Sequence, residues 1–173
     1  MRKQKGFSLI ELLIVVAIIL IIAAIAIPNL MRARMAANDS SAAASERTII
    51  TGEIGYFSAY PTVGFTVLAS LGGTVGAVCA PAEATGCLID SNLSSNGSGN
   101  GKSGYQFAAT PQGAVGGANS QFYTTAFPLA ATTGTKSFCA VDDGVVRSVA
   151  PGGAINAAVA SYAACQALNP LQN

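Results

Sequence analysis

Residues 7–28 read FSLIELLIVVAIILIIAAIAIP, and this stretch decides the architecture. From Leu9 to Ile27 every residue is apolar except Glu11. As a helix, the 21 residues from Phe7 to Ile27 rise about 31 Å, enough to cross the hydrocarbon core of a bilayer. A carboxylate inside such a run is disfavoured by roughly 2.5–3.5 kcal/mol at the bilayer centre, so Glu11 calls for a partner and a task.

The flanks narrow the choices. Arg2, Lys3 and Lys5 precede the run and form a basic tip of the kind held on the cytoplasmic side. Arg32 and Arg34 follow it, so the basic count does not orient the helix by itself. An ordinary signal peptide would be cut near Ala24-Ile25-Ala26, but its apolar region spans about 7–15 residues and carries no acid. A plain membrane anchor accounts for the length and leaves Glu11 without a role.

The segment KGFSLIELLIVVAIILIIAAIAIP, residues 5–28, resembles the N-terminus of type IV pilins and type II secretion pseudopilins. The likeness is close over Lys5–Asn29 and thins to a general pattern afterwards. It implies a short leader, residues 1–6, ending at Gly6. A prepilin peptidase would cleave between Gly6 and Phe7 and methylate the new Phe7 amine. Glu11, four residues further on, takes the family's assembly position, and Pro28 takes the place of its helix-kinking proline. Many relatives carry Gly where this chain has Leu20, which here removes a helix breaker from the stretch that often unwinds.

Composition agrees with an exported, anchored chain. Only 10% of residues are charged against 51% hydrophobic, unlike a soluble cytosolic protein. There is no His, so the usual general base and the commonest metal ligand are both missing. Loss of the basic tip leaves a slightly acidic remainder, which is no footprint for nucleic acid. Cys79, Cys87, Cys139 and Cys165 make an even count, read in an exported protein as two disulfides with three possible connectivities. A metal site is disfavoured because no pair is spaced CxxC and no His completes a ligand set.

Along the chain, a single helix is expected from Ser8 to Tyr60: residues 7–28 as membrane and filament-core helix, 29–60 as its amphipathic continuation. Pro28 lacks the N–H that would bond Ala24, so a kink is expected there. Ala43, Ile50, Ile54 and Phe57 recur at i, i+7, i+11 and i+14 and form the stripe expected to face the head. Arg32, Arg34, Asp39, Glu46 and Arg47 are assigned to other faces. Tyr60-Pro61 ends the helix, because the residue before Pro avoids the α region. Gly52 and Gly55 suggest close packing near its end.

Residues 61–173 form the head. Residues 90–104, rich in Ser, Gly and Asn, are expected to be a mobile, variable surface loop. Strands are expected at 105–110, 121–128, 137–142 and 144–149, the last two joined by a turn at Asp143-Gly144. The tail AINAAVASYAACQALNP, residues 154–170, reads as a short helix or ordered coil. The expected pairing joins Cys79 to Cys87 and Cys139 to Cys165. The second would bound a C-terminal region resembling that of many type IV pilins. The fold class is therefore α+β, a long N-terminal helix on a small antiparallel sheet.

Other signals carry less. GSGNGKS, residues 97–103, has three residues between its glycines where a phosphate loop needs four. Asp142-Asp143 lacks the further oxygens of a calcium site and reads as turn chemistry. Tyr56, Phe57 and Tyr60 read as packing residues, not an electron-conducting track. Asn38, Asn92 and Asn96 begin triplets of N-glycosylation pattern, which chance produces in such loops.

The resemblance implies a structural subunit of a type IV pilus, without catalytic site, cofactor or metal. Its expected partners are further copies of itself, the inner membrane, the prepilin peptidase and methyltransferase, and the assembly machinery. It would reside in the inner membrane and then in a surface filament. The alternatives are a type II secretion pseudopilin and, more remotely, a tethered binding module or enzyme.

Overall fold

A computed structural model describes residues 7–149 and 158–171. The leader with Gly6, and residues 150–157 with the start of the Ala-rich tail, lie outside the described residues. The elements run α1 (Leu9–Ala59), α2 (Leu68–Leu71), α3 (Ser91–Ser94), β1 (Tyr105–Val115), β2 (Ala118–Pro128), β3 (Phe138–Val141), β4 (Arg147–Ser148) and α4 (Tyr162–Gln166). The chain divides into two compact units, Met1–Arg34 and Met35–Asn173, and α1 contributes to both.

In the first unit the side chains of α1 are exposed on every face, with Leu9, Leu20, Ile21 and Ile25 all more than 60% accessible. A helix apolar all round has no wet face, so it requires lipid or other protein around it. Pro28 lies inside the helix, which continues on both sides of it. The ring removes one backbone donor without ending the element.

The second unit is a four-stranded antiparallel meander in the order β1-β2-β3-β4, sharing one core with the second half of α1. Tyr105, Phe107 and Ala109 alternate inward along β1, the period of a half-buried strand. The β1–β2 ladder runs from Tyr105 opposite Pro128 to Val115 opposite Ala118. Gly116 and Gly117 close it at φ 63° and 95°, the left-handed backbone that a two-residue hairpin turn needs. At the Asp143-Gly144 turn the Gly144 N–H donates to the Val141 carbonyl at 3.0 Å.

All four residues of β3 are buried, because the strand is covered on both faces. Phe138 and Ala140 belong to the core shared with α1, while Cys139 and Val141 form a second cluster with Cys165, Tyr123 and Tyr162. The C-terminal segment thus covers the outer face of the sheet. Ser161 caps α4 by accepting the Ala164 N–H at 3.2 Å.

Four expectations need correction. β4 is confined to Arg147–Ser148, and β1 runs on to Val115. The buried face of α1 carries Ala42, Ala43, Glu46, Ile49, Ile50, Gly52, Glu53 and Tyr56, while Ile54 and Phe57 are 52% and 39% exposed. Glu46, assigned to an outer face, is fully buried. Residues 90–104 form an anchored structure, not a loose loop. Asp90 caps α3, Leu93 enters the core, and Asn96 exchanges two hydrogen bonds with the Phe107 backbone at 2.5 and 2.8 Å.

Candidate assembly site

The start of α1 is built as a helix cap. Ser8 precedes the first helical residue, and Glu11 lies three residues on, in the first turn. The Ser8 N–H donates to Glu11 Oε2 at 2.9 Å, one half of a capping box. A carboxylate there also faces the positive end of the helix dipole. Ser8-Leu9-Ile10-Glu11 displays this pattern openly in the sequence, and the cap explains why the acid sits so near the start of the run. Phe7, 85% exposed, stands immediately before the cap.

Phe7 and Glu11 therefore lie at the same end of the apolar helix. Among the described residues Glu11 has no cationic partner within salt-bridge distance. Its one bond is to a neutral amide, so its charge is available to a cation from elsewhere. The 21 residues from Phe7 to Ile27 supply the apolar surface around that charge.

In the head, Cys79 is bonded to Cys87 and Cys139 to Cys165, each pair with Cα atoms 5.9 Å apart. Asp143 pairs with Arg147 at 2.5 Å and accepts the Val145 N–H at 2.9 Å. That partnership holds its carboxyl below the usual range. Asp142 accepts the Tyr162 hydroxyl. Both aspartates thus serve the turn and the C-terminal segment, and no metal-ligating cluster occurs among the described residues. Lys102, from the GSGNGKS stretch, donates to Ser45 Oγ of α1 at 3.1 Å, which ties that loop to the helix.

Two acids missed by sequence reasoning lie in the core. Glu46 accepts the Thr124 hydroxyl with one oxygen, and Glu53 accepts the Thr66 N–H at 3.0 Å. The other oxygen of each is buried without a partner. Burial pushes Glu46 up to about 8, opposed by the Thr124 hydrogen bond. Burial likewise pushes Glu53 up to about 7, opposed by the Thr66 amide. Their seven-residue spacing, in phase with Ala42, Ile49 and Tyr56, was the available signal. It marked a shared face without marking that face as buried.

An exposed apolar helix with one capped acid at its start precedes a disulfide-closed α+β head, and the comparisons fall on that helix. The chain matches the family described as Prokaryotic N-terminal methylation motif over residues 1–27. It is 68% identical over 40 residues to the Type IV wide pilus major component PilA4 of Thermus thermophilus, covering 23% of this chain and 30% of that protein. It is 45% identical over 56 residues to the Type IV major pilin protein PilA of Myxococcus xanthus, covering 32% of this chain and 26% of that one. The chain thus spans less than a third of the length of either relative. No solved structure matches it. Over its N-terminal segment the chain is similar to type IV pilins.

Proposed function

We propose that the chain is a prepilin, a structural and non-catalytic subunit that polymerises into a type IV pilus. The observation that carries this reading is Glu11: one acid, without a cationic partner among the described residues, at the start of an exposed apolar helix. Both relatives are, by their printed names, components of type IV pili, which favours a pilus over a secretion pseudopilus.

The mechanism follows from the chemistry of that end. Cleavage between Gly6 and Phe7 creates a positive amine, four residues and about 6 Å of helix rise from Glu11. In lipid, a lone amine and a lone carboxylate are both costly. Pairing Glu11 of one subunit with the methylated Phe7 amine of a neighbour relieves both costs, and does so at one axial stagger. The residues from Phe7 to Ile27 then pack helix against helix in the filament core, and Pro28 supplies a local bend. Before assembly the helix rests in the inner membrane, where the prepilin peptidase and the assembly machinery meet it.

Intact mass spectrometry of surface filaments sheared from cells tests the reading. The expected species begins at methylated Phe7. Absence of the chain from external filaments overturns it, and a mature start at Ile27 restores an ordinary signal peptide.

A further inference from the structure

The second unit, Met35–Asn173, carries four basic and seven acidic side chains, and among the described residues all but three of them are committed within the chain. Asp39 accepts the Tyr105 hydroxyl at 2.5 Å, and the Thr135 N–H at 3.0 Å and hydroxyl at 2.5 Å. Asp90 caps α3, Asp142 holds Tyr162, Asp143 holds Arg147, and Lys102 is bonded to Ser45. Glu46 and Glu53 are buried. Among the described residues, the charged groups of Glu83, Arg47 and Lys136 make no hydrogen bond or ion pair.

The two free cations are not scattered. Arg47 and Lys136 line one groove of about 220 Å³, with Ala43, Phe138 and Leu171 as its apolar wall and Asp39 at its edge. Since Asp39 is already engaged by three donors, the groove presents two cations against one engaged acid. Its apolar wall lowers the local dielectric and strengthens any ion pair formed there relative to open surface.

Glu83 is presented rigidly. It lies exposed in the loop closed by Cys79 and Cys87, and its carbonyl accepts the Tyr56 hydroxyl at 2.5 Å. Little order remains to be imposed on binding, which favours association. The two features are also offset along α1. Tyr56, beside Glu83, lies nine residues beyond Arg47 and 17 beyond Asp39, about 13–26 Å of helix rise.

We propose that Glu83 of one copy docks into the Arg47–Lys136 groove of the next copy. The contact joins two different patches of one chain, which is the head-to-tail geometry that generates open filaments instead of closed dimers. It rests on the filament reading above and adds to it a contact outside the apolar helix. The carboxylate of Glu83 and the cations of Arg47 and Lys136 then satisfy each other across the interface.

Charge reversal in full-length prepilin tests this, with sheared filament and membrane pool quantified separately. Glu83→Arg alone, and Arg47→Glu with Lys136→Glu, are each expected to cut sheared filament by about tenfold or more, because like charges then face each other. The triple variant is expected to recover most of the yield. Wild-type filament levels in the first two variants, or no recovery in the triple, overturn the contact. Carbodiimide coupling of wild-type filaments grown from mixed light and heavy isotope cells decides the matter if a variant fails to accumulate. The Glu83 carboxylate and Lys136 amine then condense to an amide with net loss of water. A mixed-isotope Glu83–Lys136 peptide supports the contact, and its absence overturns it. Absence of wild-type filaments would instead sink the filament reading itself.

Discussion

The Thr124 hydroxyl of β2 donates to the Glu46 carboxyl of α1, and this bond crosses the core between helix and sheet. Glu53, seven residues along the same face, makes the corresponding link to the Thr66 amide. Two acids therefore hold the helix to its surroundings, each with one oxygen left buried and unbonded. Such a core tolerates the neutral acid far better than the anion.

Stability of the head should accordingly fall with rising pH. Both acids have folded values above the usual 4.5, Glu46 at about 8 and Glu53 at about 7. Their contribution is full below about pH 4.5, and is lost as the pH rises toward 7 for Glu53 and 8 for Glu46. The loss is on the order of 3–5 kcal/mol per group. Chemical denaturation of the full chain in detergent at pH 4.5 and pH 9 should show it. Glu46→Gln, neutral at every pH, should remove the larger part of the slope. An unchanged slope in that variant would mean that Glu46 is not the group responsible.

The observed cap and the proposed charge role of Glu11 are separable. Glu11→Gln keeps an acceptor suited to a capping box and loses the charge. Glu11→Ala loses both. Both variants are expected to enter the membrane and to be cleaved, and both to yield few filaments. Filaments at wild-type amounts from Glu11→Gln would show that capping, not charge, is what assembly requires.

The two disulfides should differ in their contribution. The Cys139–Cys165 bond closes a sequence separation of 26 and the Cys79–Cys87 bond one of 8. Chain entropy then gives about 3–4 kcal/mol for the first and about 2–3 kcal/mol for the second. Replacing each pair by Ser and measuring unfolding midpoints at equal denaturant slope tests the order. The longer loop should cost more, and should also loosen α4 from the cluster at Val141.

Gly52 and Gly55 should respond to Ala in opposite directions. A Cβ on Gly52 would lie 2.8 Å from Ile89 Cγ2, a buried and branched side chain that cannot easily retreat. Overpacking of that kind costs about 1–3 kcal/mol, more than the roughly 1 kcal/mol gained in helix propensity. A Cβ on Gly55 would meet Leu88 at 3.5 Å, an ordinary contact, so Gly55→Ala should stabilise the helix by up to about 1 kcal/mol. Thermal unfolding of the two variants side by side is the check.

Local chemistry was legible in the sequence. The apolar run from Leu9 to Ile27 settles a helix that needs lipid or protein on every side, because no side chain in it except that of Glu11 offers water a partner. Tyr60-Pro61 ends the helix through a steric rule that acts between neighbours. Asp143-Gly144 marks a turn, and the alternation at Tyr105, Phe107 and Ala109 marks a strand. The capping box at Ser8 and Glu11 was equally legible, though it was hidden behind the more conspicuous question of an acid in an apolar run.

Which face of α1 the head covers was decided only by the tertiary structure. Helical periodicity groups Ala43, Ile50, Ile54 and Phe57 on one side, yet the sheet settles roughly a quarter turn away, over Glu46, Ile49, Glu53 and Tyr56. The reason lies in partners remote in sequence. Thr124 and the Thr66 amide give the two acids bonds that make burial tolerable, and Ile89 fits the gap that Gly52 leaves. The same holds for residues 90–104, whose composition reads as loose chain but whose Asn96 and Lys102 are held by Phe107 and Ser45. Sequence periodicity determines which residues share a face; only the folded partners determine whether that face is dry.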